Sequence, residues 1–217
     1  MRETARRLRI AVLNRVFSAS GGGAESYSIR LVEQLAARHE IHVFAQDIGH
    51  QWPGVTYHRV SAPLRKPRWL NQLWYAAATW RATRRGFDVV HSHENGWRGG
   101  VQTIHVKPVR HNLLAGLRGW RRALRWLKIA CSPRLLTYLW LEGARFKTRP
   151  GRQVVLTSSS LRADALAAYP YAIGAMSVVT PGVVMPEAGR DSAGARIELG
   201  LPVTGRLLLF GANDYVR

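Results

Sequence analysis

Three histidines and a run of glycines are the residues best placed to do chemistry. His91 and His93 close one apolar stretch, Asp88-Val-Val-His-Ser-His93, and His105 closes the next, Val101-Gln-Thr-Ile-His-Val106. Gly21, Gly22 and Gly23 lie between an apolar run, Leu8-Arg-Ile-Ala-Val-Leu13, and a helical pattern that opens at Ala24. An imidazole donates, accepts or moves a proton near neutral pH. Glycine lets backbone come close to a ligand, and the free N–H groups at a helix start attract phosphate or sugar oxygens. Each feature also has an ordinary structural reading, since tight strand-to-helix turns use glycine and strand-end histidines often serve packing. A metal site is not expected, because only Glu94 offers a carboxylate at ligand-like spacing. His39, His42, His50 and His58 show no partners in the sequence.

The elements that would position these groups alternate. Short apolar strands are expected at Leu8–Leu13, Ile41–Ala45, Val55–Val60, Asp88–His93, Val101–Val106, Gln153–Thr157 and Ser177–Thr180. Helices are expected at Ala24–Arg38, Trp69–Arg85, about 112–130, about 134–147 and Ser159–Tyr169, the last capped by Ser159 or Ser160. Strands alternating with helices specify a doubly wound, Rossmann-like parallel α/β sheet covered on both faces. In such a sheet the carboxyl ends of the strands face the ligand crevice, which would gather His91, His93, His105 and the glycine loop at one edge. From Pro181 the composition turns to Pro, Gly and small residues. The division expected is a first domain over 1–181, a linker over 182–204 with a helical turn at Ala195–Leu199, and the first strand of a cut-off second α/β domain over 205–217.

Charge excludes some partners and suggests others. The chain has 217 residues, 32 Lys+Arg, 13 Asp+Glu and a formal net charge of +19. Residues 65–152 hold nineteen of the cations against three acids, together with seven of the eight tryptophans. Leu113, Leu117, Trp120, Leu124 and Leu127 follow helical spacing, while Arg118, Arg121, Arg122, Arg125 and Lys128 fall on the other side. A Leu/Trp face opposite a cationic face suits a helix lying in an anionic membrane surface; the alternative is a stripe packed on the protein's own core. Basic residues mixed with Trp also suit nucleic acid, but no zinc-finger, RNP-like or helix-turn-helix pattern is present, so no nucleic acid partner is expected. A single cysteine, Cys131, excludes an internal disulfide framework. No apolar stretch is long enough to span a membrane, and the basic amino terminus lacks a signal-peptide core. A cytoplasmic protein, peripheral on the inner face of a membrane, is expected. Neither a P-loop nor a full nicotinamide fingerprint occurs.

Gly22-Gly-Ala-Glu-Ser-Tyr-Ser-Ile-Arg-Leu-Val-Glu-Gln-Leu-Ala-Ala-Arg38, followed by Glu40-Ile-His-Val-Phe44, resembles the opening of the family 4 glycosyltransferases. Asp88–His93 is similar to that family's fourth-strand motif, Val178–Gly182 and Leu199–Pro202 to its interdomain segment, and Leu207–Phe210 to the first strand of its donor domain. Tyr138–Phe146, Val155–Thr157 and Asn213–Arg217 look most like the lipopolysaccharide-core glucosyltransferases within the family.

The resemblance implies a GT-B fold, of which this chain would be the amino-terminal, acceptor-binding half. It implies retaining transfer without a catalytic metal or cofactor, from a nucleotide sugar such as UDP-glucose to a lipid-linked saccharide. Gly22 and Gly23 match the loop that lies against the donor diphosphate and acceptor, Glu25 belongs to the same motif, and His105 matches the histidine that contacts the donor sugar. The family's spaced pair of glutamates is absent, and Asn213 stands where many members have Arg, leaving Arg217 as the substitute. The expectation is a piece that binds acceptor or membrane without turning over, with a basic nucleic-acid-binding or non-catalytic membrane-binding module on a Rossmann-like scaffold as the alternative.

Overall fold

The computed structural model describes residues 6–18, 22–182 and 192–208. Chain contacts divide it into two units, Met1–Thr180 and Pro181–Arg217. The first holds β1 (Arg9–Leu13), β2 (Val16–Phe17), α1 (Gly23–Ala36), β3 (Glu40–Ala45), β4 (Asp47–Ile48), β5 (Val55–Arg59), α2 (Arg68–Thr83), β6 (Val89–Ser92), β7 (Val101–Ile104), α3 (Val109–Leu114), α4 (Gly119–Ala130), α5 (Pro133–Phe146), β8 (Gln153–Leu156), α6 (Ser159–Ala168) and β9 (Met176–Val178). Seven strands form one all-parallel sheet in the order β5-β3-β1-β6-β7-β8-β9. This is the doubly wound Rossmann-like architecture that the alternation specifies.

Strand pleating explains the layers. Alternate residues of β1 point to opposite faces. Ile10 and Val12 pack with Ile29 and Val32 of α1, whereas Ala11 and Leu13 pack with Tyr75 of α2. A strand buried on both faces favours apolar residues throughout, which is why residues 10–13 of β1 and, except at His42, residues 41–45 of β3 read as hydrophobic runs. The far end of the sheet has its own core, in which α6 sets Leu161, Ala165 and Ala168 against Val154, Leu156 and Ile104.

Several elements differ from the sequence expectation. The helix expected over 112–130 is two helices, because Gly116 adopts φ 72°, a left-handed conformation that ends a helix. Leu113 therefore sits on α3 and Leu117 in the connecting turn, and only Trp120, Leu124 and Leu127 of the five-residue stripe share α4. The cap of α6 is Ser158, whose side chain accepts from Leu161 N at 3.1 Å, rather than Ser159 or Ser160. A small parallel ladder of β2 with β4 and a 3₁₀ helix over Pro170–Ala175 are additional; elements this short have no readable period.

In the second unit, α7 (Ser192–Glu198) overlaps the helical turn expected at Ala195–Leu199, starting earlier and ending one residue sooner, and Arg196 donates to the carbonyls of Pro202, Val203 and Gly205 at 3.0–3.2 Å. Of the expected strand at 206–210, residues 206–208 belong to no regular element and the remaining two lie outside the described residues. Gly21 and Arg217 also lie outside them.

Candidate functional site

Strand order reverses at β1: the chain steps through β3 to β5 on one side and through β6 to β9 on the other. Ligand groups in such sheets gather outside the carboxyl ends of the strands at that reversal. Gly22 lies there as the residue before α1, with φ 134°, a value that L side chains rarely adopt. Its carbonyl accepts from Ser26 N at 3.0 Å. The first turn of α1 is tied to the sheet by Asn14, just past β1. Asn14 Nδ2 donates to Ser28 Oγ at 2.6 Å, and Ser28 Oγ donates to Glu25 O at 2.9 Å. Glu25, in that turn, is favoured by the helix dipole.

From the neighbouring strands come the imidazoles. His93 follows β6 and His105 follows β7, and His93 Nδ1 lies 3.1 Å from His105 Nε2 with the rings stacked. Tyr27 of α1 presents its ring edge-on to both, at 5.2 Å from His105 and 5.9 Å from His93. Gly22, Gly23, Glu25, Tyr27, His93 and His105 therefore share one rim. His91 differs: it lies within β6, buried, with Nε2 2.7 Å from Thr103 Oγ1 and its ring stacked behind His93. It supports His93 from below and does not reach the rim surface.

Electrostatics keep the trio neutral. Burial lowers His91 to about 4, with His105 adding to the effect. Burial holds His93 well below its ordinary value, reinforced by His91, His105 and Arg145. His105 is lowered by burial and by Arg145, and Glu25 opposes the shift. His93 Nε2 is buried with no hydrogen-bond partner among the described residues. His93 Nδ1 and His105 Nε2 share one proton in their contact, and the tautomer decides which of them donates. Neutral His105 leaves its Nδ1 for a further hydrogen bond. Among the described residues no three of His, Cys, Asp and Glu are grouped to hold a metal ion.

Sequence reading missed the groups behind this rim. Arg145 of α5, counted there as part of the basic segment, is buried and donates to Gln102 Oε1, Asn95 Oδ1 and Thr103 O at 2.7–3.1 Å. Tyr27 lies inside the Gly22–Arg38 stretch, where nothing in the sequence sets it apart. The histidines without visible partners acquire them in the fold: His42 contacts His58 at 2.9 Å and Glu40 at 2.7 Å, His50 contacts Glu33 at 3.0 Å, and His39 Nδ1 accepts from Leu8 N at 3.4 Å.

Beside the rim, outside the carboxyl ends of β1, β3 and β5, opens a cleft of about 790 Å³. Arg15, Arg59, Arg65 and Arg68 line it, with Glu25 and Asp47 as its carboxylates. Gln46 and Asn71 form part of the wall and exchange reciprocal amide hydrogen bonds at 2.8 and 2.9 Å. Arg68 opens α2, the helix end where the dipole disfavours a cation, so helix stability does not account for it. Arg15 and Arg59 were legible as residues at or just after strand ends, had strand-end cations been searched for.

The α4 stripe faces outward. Trp120, Leu124 and Leu127 are 68, 55 and 62% exposed, and the one buried residue of α4 is Ile129, on the side that carries the cations. Arg121, Arg122 and Lys128 are exposed, Arg125 half-buried, and Arg121 lies over the Trp120 ring at 5.6 Å. Leu117 still lines the same shallow groove as Trp120 and Leu124. Trp140 on the adjoining α5 is 58% exposed. Among the described residues no helix is long and apolar enough to cross a membrane.

Sheet order, reversal point and rim define a Rossmann-like α/β protein with its ligand crevice beside β1. The glycosyltransferase family 4 model matches residues 21–185, and the chain belongs to that family. Among solved structures it is similar to WaaG, a glycosyltransferase involved in lipopolysaccharide biosynthesis. There the TM-score is 0.73 at 16% identity, covering 88% of this chain and 51% of that one. It is also similar to Anabaena HepE (Alr3699), solved with UDP and glucose, with a TM-score of 0.49 at 15% identity, covering 89% of this chain and 50% of that one. The chain thus spans about half the length of these structures. No curated protein matches it in sequence.

Proposed function

We propose that this domain is the acceptor side of a retaining hexosyltransferase that works at an anionic membrane surface. The reaction would move glucose from UDP-glucose to a lipid-linked saccharide of the lipopolysaccharide-core type. The observation that carries the reading is the meeting of the α1 amino end, Glu25 and His105 at one rim, next to a cleft large enough for a saccharide. Transfer of a glycosyl group develops charge on a departing diphosphate and an oxocarbenium-like carbon, and needs an acceptor hydroxyl held in line. Backbone N–H groups at the start of α1 suit the diphosphate. The neutral His105 forms a hydrogen bond with a sugar hydroxyl without adding charge. Four guanidinium groups in the cleft complement the anionic groups of a lipopolysaccharide core, and WaaG's role in lipopolysaccharide biosynthesis agrees with that acceptor class.

The exposed Trp120, Leu124 and Leu127, with Arg121, Arg122 and Lys128 beside them, support a peripheral seat on the inner face of the membrane. The nucleotide sugar is a co-substrate, and the proposal requires no further cofactor, metal or nucleic acid. Ligand-observed NMR with a heptose-containing core oligosaccharide tests it. Binding to the 217-residue chain is expected to weaken about tenfold or more in Arg59→Met/Arg68→Met, through loss of charge-assisted hydrogen bonds in the cleft. No binding, or binding indifferent to Arg59→Met/Arg68→Met, overturns the proposal.

A further inference from the structure

The opposite edge of the sheet holds a second cavity, of about 280 Å³, at the amino ends of β6, β7 and β8. Parallel strands put this edge as far from the histidine rim as the strands are long, so the cavity shares nothing with the crevice described above. Trp97, Arg98, Arg149 and Arg152 line it. Two of these residues keep a donor without an acceptor: Trp97 Nε1 and Arg98 Nε are buried and have no hydrogen-bond partner among the described residues. A buried donor left unpaired costs about 1–3 kcal/mol, more on a charged group. Such donors persist in a native protein when a ligand or ordered water completes them.

Charge on this wall is equally uncompensated. Among the described residues Asp88 is the only carboxylate lining the cavity, and it already accepts from Arg9 N at 2.8 Å and Arg6 at 3.0 Å. Arg152 is buried and spends its donors on main-chain carbonyls, those of Ala144, Arg145, Lys147 and Trp97, none of which neutralises it. Burial first, then the charges of Arg149 and Arg98, lower its pKa. The wall is also rigid. Gln102, gripped by Arg145, donates to Arg98 O at 2.9 Å, and Arg152 donates to Trp97 O at 3.4 Å, so the backbone carrying Trp97 and Arg98 is pinned from two directions. Like charges assembled on a fixed wall, with donors waiting, describe a preorganised anion site.

We propose that this cavity binds a phosphate group through Trp97 Nε1, Arg98 and Arg149, with Arg152 supplying charge from behind. At 280 Å³ it stands at the low end of small-ligand pockets, roughly 300–1,000 Å³, which fits a phosphate and part of the group that bears it. Trp97 packs on Trp140 with ring centroids 5.0 Å apart, and Trp140 is exposed. An apolar tail on the phosphate therefore has an aromatic surface beside the opening. The shared ligand chemistry is a phosphate monoester, whether free or as a lipid headgroup. The site stands independently of the acceptor reading.

The test follows the indole N–H resonance of Trp97, assigned with Trp97→Phe, in ¹⁵N-labelled protein. Two probes are used: inorganic phosphate, and dihexanoyl phosphatidic acid kept below its micelle concentration. Saturable shifts of that resonance are expected, weakened about tenfold or more in Arg98→Met/Arg149→Met through loss of charge-assisted hydrogen bonds. The rest of the variant's spectrum should superpose on that of the parent. Equal affinity for both probes upholds the site and makes its natural ligand a soluble phosphate compound. Affinity about tenfold higher for the lipid upholds it as a headgroup site extended by Trp140. An unmoved Trp97 resonance with both probes, or shifts undiminished in the double variant, overturns the proposal.

Discussion

Two sets of arginines from one stretch of sequence behave in opposite ways. Arg145 and Arg152 lie in the body of the domain, and each ends on several oxygen acceptors. Arg121 and Arg122 on α4 lie at the surface, and neither is ion-paired among the described residues. The same contrast divides the apolar residues of that stretch: Ile129 is sealed, whereas Trp120, Leu124 and Leu127 face out. In α4 the sides are inverted relative to an ordinary amphipathic surface helix, whose apolar stripe faces the core. Of the buried set, Arg145 builds the fold behind His93 and His105, and Arg152 the opposite edge of the sheet. The exposed set leaves a surface whose chemistry is that of an interfacial helix.

The strongest way to break this contrast is Arg145→Met. It strands Gln102 Oε1, Asn95 Oδ1 and Thr103 O without their donor, and is expected to cost about 3 kcal/mol in urea unfolding. An effect below about 1 kcal/mol would place Arg145 with the surface set. Next comes a paired test on α4. Ile129→Ala should cost about 2–4 kcal/mol for a fully buried aliphatic side chain. Leu124→Ser should stay within about 0.5 kcal/mol, yet lower co-sedimentation with anionic vesicles about tenfold when combined with Trp120→Ser, from lost apolar burial. Equal destabilisation by Ile129→Ala and Leu124→Ser would erase the inward and outward sides.

The last effect is on pH dependence. His91 is held near 4 in the folded chain, against an ordinary value of 6.5. Between those values the unfolded chain takes up a proton that the folded chain refuses. Stability is therefore complete above about pH 6.5 and falls on acidification, by up to about 1.4 kcal/mol per pH unit for each such group. Urea midpoints compared at pH 7 and 5 should show the loss, with a shallower slope in His91→Asn.

Much of the fold was legible because its signals are local. The apolar runs of β1 and of β3, the latter broken at His42, and the glycine turn before α1 each reflect a nearby constraint. Gly116 was present in the sequence, but the stripe across it kept helical spacing, and periodicity cannot register a single left-handed residue. Ser158 lost to its neighbours because three consecutive serines offer three equivalent caps until the preceding strand fixes where the helix starts. At the site, strand-end position singled out His91, His93 and His105 alike; His93 and His105 lie just past their strands, whereas His91 lies within β6 and contacts Thr103 of β7. Glu142 is a further case: it is buried, and accepts from Arg110 N at 3.0 Å and Tyr169 OH at 2.7 Å, partners distant in sequence.

By itself, the order of residues determined the alternation of strands and helices, the parallel sheet this requires, the family, and which edge would gather the glycines and strand-end imidazoles. These follow from period and from short-range backbone geometry, which neighbouring residues set. Only the tertiary structure decided which cations are buried, which imidazoles stack on one another, and which side of α4 meets solvent. Those properties depend on desolvation and on partners brought from tens of residues away, and no local pattern encodes a distance across the fold.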